Sequence, residues 1–68
     1  MEEHEVRLVH EEAGWRIYQD DMPVMGKTFE HSDDITAKSE ARQLARKISP
    51  CELIIIDLCG CEIYRKPF

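Results

Sequence analysis

The sequence lacks the usual braces of a small domain. Among 68 residues there are three cysteines, Cys51, Cys59 and Cys61. An odd count cannot complete a disulfide framework, and a structural zinc site needs four ligands in tetrahedral order. Cys59-Gly60-Cys61 supplies at most half of such a site, with His10 or His31 to complete it. No CxxC or HxxxH pair accompanies it, and His4, His10 and His31 stand apart. No metal and no cofactor is therefore expected. Long apolar runs are also missing. The longest, Leu53-Ile54-Ile55-Ile56, falls far short of the roughly 18 residues that cross a bilayer. Neither a glycine-rich phosphate loop nor a Ser-His-Asp arrangement is present. Asp20-Asp21 and Asp33-Asp34 are adjacent pairs of the kind turns favour. No catalytic residue is assigned, and the chain is expected not to be an enzyme, because so small a domain has little wall from which to build a pocket. The opening Met1-Glu2-Glu3-His4-Glu5 is acidic where a signal peptide is basic and then apolar, so a cytoplasmic location is expected.

Positive charge is scarce as well. Nine Lys+Arg face 14 Asp+Glu, for a net charge of −5. Residues 1–34 hold three bases against ten acids, and residues 35–68 hold six bases against four. The first half is therefore −7 and the second +2. An acidic chain repels phosphate, so nucleic-acid binding is disfavoured. The exception is a basic stripe, Lys38, Arg42 and Arg46, recurring every four residues along one side of a predicted helix. Its plain reading is a solvated helix face, and its sharper one a site for an acidic partner.

What is present is orderly. Apolar residues make up 43% of the chain and fall in patterns, which fits one folded domain over residues 1–68. Val6 and Leu8 alternate with Arg7, predicting a strand over 5–11. Glu11-Glu12-Ala13-Gly14 reads as a hairpin turn. Trp15 to Gln19 predicts a second strand with Trp15 and Ile17 on one face, and Trp15 reads as a core anchor. After Asp20-Asp21-Met22-Pro23, a third strand runs from Val24 to Glu30, with Gly26 marking a bulge or a weak edge. Ser32-Asp33-Asp34 signals a helix start, with Thr36 as an alternative cap. Ala37, Ala41, Leu44, Ala45 and Ile48 form one apolar stripe, and Ser49-Pro50 ends the helix. Residues 51–57 form the most apolar strand. Asp57 to Gly60 is a tight turn, and 61–66 returns as a fifth strand. The expected fold is α+β, β-β-β-α-β-β, an antiparallel sheet with one helix packed on one face.

This order, carried by Gly14-Trp15-Arg16-Ile17, Phe29, Ala41 with Ala45, Glu52-Leu53-Ile54-Ile55 and Gly60 before Ile63, resembles the small prokaryotic domains of unknown function with a double-stranded-RNA-binding-domain-like fold. The resemblance covers roughly residues 5–65. It departs at the last turn, where Leu58-Cys59-Gly60-Cys61 replaces a polar Asp-Gly type. It implies a fold and no activity. An RNA site would add basic loops, whereas the first hairpin turn here is Glu11-Glu12.

The sheet face away from the helix is the strongest functional clue. The helix side is expected to take Val6, Leu8, Trp15, Ile17, Phe29 and Ile63, together with either Leu53/Ile55 or Ile54/Ile56. If Ile63 faces the core, alternation places Cys61 there too, while Cys59 sits exposed at the turn. The opposite face then holds Val9, Tyr18, Tyr64 and the rest of the fourth strand. Because residues 53–56 show no polar alternation, that strand reads as buried on both sides. One helix cannot cover both faces. A non-enzymatic protein-interaction module follows, homodimeric or bound to a protein partner through Val9, Tyr18, Ile54, Ile56 and Tyr64. Two other readings stand beside it. One is an acidic, phage-type inhibitor or nucleic-acid mimic that binds a basic protein through Glu2-Glu3-Glu5, Glu11-Glu12, Asp20-Asp21 and Asp33-Asp34. The other is a small zinc or thiol-redox module at Cys59 and Cys61.

Overall fold

The structure is a computed structural model and describes residues 4–68. Six elements follow one another: β1 (His4–Glu11), β2 (Gly14–Gln19), β3 (Met22–Phe29), α1 (Asp34–Lys47), β4 (Cys51–Ile56) and β5 (Glu62–Pro67). They form an α+β domain with one helix on a five-stranded sheet, ordered β3-β2-β1-β4-β5. The described residues include no helix long and apolar enough to cross a membrane.

The sheet is mixed, which corrects the antiparallel expectation. β1 pairs with β2 antiparallel but with β4 parallel, in the register Val6–Leu53, Leu8–Ile55, Val9–Ile56. Direction explains it. Two hairpins make β3 run the same way as β1. The helix then carries the chain back, so β4 must run the same way as β3. Both free edges of the β1–β2–β3 meander point in that direction, and any edge that accepts β4 pairs with it in parallel. Landing beside β1 places the aliphatic β4 inside the sheet, with β5 at the margin.

The core lies between the sheet and the helix. Val6, Leu8, Trp15, Ile17, Leu53 and Ile55 from the sheet meet Ala37, Ala41 and Ala45 from α1, with Leu44 and Ile48 at its border. Alanine at the contact positions lets the helix lie close to the strands. Asp33 is the N-cap residue but makes no side-chain cap bond, so its role at the helix start is confined to its backbone, whose carbonyl accepts from Ala37 N–H at 3.1 Å. Arg46 and Lys47 occupy the last turn, where positive charge suits the carbonyl end of the helix.

Three local devices shape the sheet. Gly14 has φ +128°, and a Cβ there would stand 2.2 Å from the Phe29 carbonyl oxygen, so only glycine lets β3 approach the hairpin. In β3 the register shifts between Arg16 and Tyr18, and Val24 to Lys27 all stand opposite Ile17. Gly26, at φ +78°, sits in this bulge at the sheet edge. At the β4–β5 turn, Gly60 N–H donates to Asp57 O at 2.9 Å and Gly60 takes φ +83°. That is a three-residue hairpin loop closed by a left-handed glycine.

A second bulge overturns part of the predicted facing. Ile55 pairs with Tyr64 but Ile56 with Glu62, leaving Ile63 as the extra residue. Alternation therefore slips by one along β5. Tyr64, expected on the open face, packs against the core on the helix side. Ile63, expected in the core, is 54% exposed. Cys61, expected to be buried with it, is exposed alongside Cys59.

Candidate functional site

The sheet face away from the helix carries the expected residues except Tyr64. Strand parity places Glu5, Arg7, Val9 and Glu11 of β1 there, with Arg16 and Tyr18 of β2, Glu52, Ile54 and Ile56 of β4, and Arg65 of β5. Val9, Tyr18 and Ile56 are half-buried. Ile54 is different, being only 4% exposed. Its register partners are Arg7 on one side and Arg65 on the other. The apolar stems of these arginines are placed to cover it while their charged heads reach outward.

Charges of both signs frame this apolar centre. Arg7 pairs with Glu5 and Asp21. Arg16 lies 3.8 Å from Glu11, and the Tyr18 hydroxyl donates to the same carboxylate at 2.6 Å. Arg65 Nε donates to Glu62 at 2.9 Å, and its guanidinium also reaches Glu52. The Arg65 hydrogen bond is the main reason Glu62 sits below the usual carboxylate range, and Glu62 in turn raises Arg65. Exposed pairs of this kind add little stability. They do hold the side chains in order across the face.

At one end of β1, Asp20 ties the β2–β3 turn to the strand. Its Oδ2 lies 2.8 Å from His4 Nδ1, and its Oδ1 accepts from Glu5 N–H at 2.9 Å. These two bonds, His4 first, hold its carboxyl below the ordinary range. The other end brings together residues that the sequence shows as isolated. The His10 ring stacks on Trp15 at 4.0 Å and 7°, and His10 Nε2 lies 2.7 Å from His31 Nδ1. His31 Nε2 lies 2.7 Å from the Glu12 carbonyl oxygen. Trp15 Nε1–H donates to His31 O at 3.2 Å. A signal for this existed. His10 continues the alternation of Val6 and Leu8 towards the helix side, and a hairpin turned at Gly14 sets it opposite Trp15.

The remaining candidates stay apart. Lys38 lies 3.4 Å from Asp34 within the helix, while Arg42 and Arg46 are exposed. A shallow groove of about 290 Å³ runs beside α1, lined by Lys27, Glu40, Gln43, Leu44 and Lys47, and the Lys27–Glu40 ion pair crosses it. Cys51 is buried beneath the helix and its thiol donates to Ala45 O at 3.1 Å. Burial, and then the charge of Asp20, pushes that thiol up. Among the described residues, no three His, Cys, Asp or Glu side chains are placed to hold a metal ion.

No family model matches the chain, and no curated protein or solved structure does either.

Proposed function

We propose that the protein is a non-enzymatic interaction module that pairs with a second copy of itself through the open sheet face. The observation that carries this reading is the combination of half-buried Val9, Tyr18 and Ile56 on a face no element of the described chain covers, beside the exposed Ile63 of the β5 bulge, framed by Arg7, Arg16 and Arg65 together with Glu5, Glu11, Glu52 and Glu62. A two-fold axis sets a patch against itself, so it must be self-complementary. A patch with both signs around an apolar centre satisfies this, because a two-fold axis can set the Arg–Glu pairs of one copy beside those of the other without juxtaposing like charges. The two longer extents of the molecule, 35 and 23 Å, limit the face to about 800 Å², so a standard interface would take nearly all of it.

The acidic-mimic reading has less support. Glu5, Glu11, Asp21 and Asp34 sit in ion pairs with Arg7, Arg16 and Lys38 of the same chain, and Glu2 and Glu3 lie outside the described residues. The thiol reading keeps only the exposure of Cys59 and Cys61. The resemblance to double-stranded-RNA-binding-like domains remains a proposal about ancestry of the fold.

Light scattering after size exclusion tests the dimer. Wild type is expected to show twice the chain mass at about 100 μM, and Ile63→Glu with Ile56→Glu to show the single mass with an unchanged circular dichroism spectrum. A wild-type monomer at that concentration overturns the proposal.

A further inference from the structure

We propose that His10 and His31 form a two-proton latch that holds the His10 ring over Trp15 and releases it on acidification. The inference is independent of the dimer. His31 Nε2 faces a backbone carbonyl, the Glu12 oxygen, at 2.7 Å. A carbonyl only accepts, so this nitrogen carries hydrogen. In the neutral ring His31 Nδ1 is then bare and accepts from His10 Nε2–H across 2.7 Å. The tautomers of both rings follow from one carbonyl.

Counting protons gives the switch. The pair has four ring nitrogens and, when neutral, two hydrogens. A first proton from solvent adds to His10 Nδ1 and leaves every bond in place. The only lone pair then left is His31 Nδ1, already engaged in accepting. A second proton can bind there only if the His10–His31 bond breaks, since two N–H groups would otherwise point at each other. Two protons are taken from water and one hydrogen bond is lost.

By chain position and register, the charged groups nearest the pair are Glu11 and Glu12 in the turn, Glu30 and Asp33 in the loop beside His31, and Asp57, which follows Ile56, the register partner of Val9. Arg16 lies on the opposite face beside Glu11. The second proton is opposed by the charge of the first and by the bond it has to break. Breaking that bond frees the His10 ring to leave the face of Trp15, which is 6% accessible in the closed form, while His31 keeps its bonds to the Glu12 carbonyl and the indole N–H.

Trp15 is the sole tryptophan, so its fluorescence reports the latch. Acrylamide quenching corrected for lifetime measures indole exposure separately from quenching by a stacked imidazolium. Between about pH 8 and about pH 5, where carboxylates stay ionised, the quenching constant of wild type is expected to rise several-fold. His10→Phe keeps a ring on the indole but removes the first proton site and the bond to His31, and is expected to be flat. A flat wild type, or an equal rise in His10→Phe, overturns the latch. Should that variant not fold, nitrogen NMR on wild type decides. Loss of the His10–Trp15 ring stacking must accompany full protonation of both rings, and two fully protonated rings with His10 still stacked on the indole overturn the proposal.

Discussion

Cys51 and Cys61 differ by one layer of side chains and by most of their chemistry. Thiol reactivity follows the thiolate, which needs access and a low pKa. Cys51 lies under the helix, hydrogen-bonded to Ala45 O and pushed up chiefly by burial. Cys59 and Cys61 flank Gly60 in the open. A disulfide-exchange reagent is expected to titrate two thiols rapidly in the native protein and a third only after denaturation; three rapid thiols would contradict the buried site. The exposure of Cys59 was legible in the sequence, because it sits at a turn. That of Cys61 was not, nor the exchange of Ile63 for Tyr64. Alternation along 61–66 is ambiguous by one residue, and a bulge with no glycine or proline of its own decided it. His10 and His31 were likewise legible only as separate residues, since their pairing needs the third dimension.

Glycine marks two joints with very different loads. At Gly14 a side chain meets both a φ of +128° and the Phe29 carbonyl. At Gly60 it meets only φ +83°, with open space around it. Gly60→Ala should therefore lower stability by about 1–2 kcal/mol, the cost of a left-handed residue. Gly14→Ala should exceed that clearly, because β3 must also move away. Urea denaturation of the two variants checks the order, and equal losses would show that the β3 approach is not tight. The elements themselves could be read closely from the sequence. Patterning placed five strands and one helix, and the stripe from Ala37 to Ile48 identified the packed face. The parallel β1–β4 pair was also implicit, since a helix between two strands returns the chain to the same direction. Hairpin links alone conceal that, because they describe neighbours in sequence rather than in space.

Across the whole molecule, the open face is part core and part surface. Ile54 lies on that face yet is 4% exposed, flanked by the stems of Arg7 and Arg65. Its truncation should therefore weaken the single chain. Ile54→Ala is expected to cost about 2–4 kcal/mol, independent of protein concentration. A loss that appears only at concentrations where dimers form would assign the residue to the interface instead. Although Ile56 is only half-buried, the burial of Ile54 was thus readable from the unbroken aliphatic run of β4. The source of its second cover was not, because long arginine side chains look polar in a sequence and act as apolar lids in a sheet. The sheet order has one more effect, on the time course of folding. The central strand, β1, and its neighbour β4 stand far apart in the chain. Closing that contact encloses the whole meander and helix in one long loop, which slows folding relative to a run of hairpins. Until it closes, the inner edge of β1 is an unpaired template with Val6 and Leu8 beside it. The slowest step in making this protein and its greatest exposure to misassembly therefore fall on the same pair of strands.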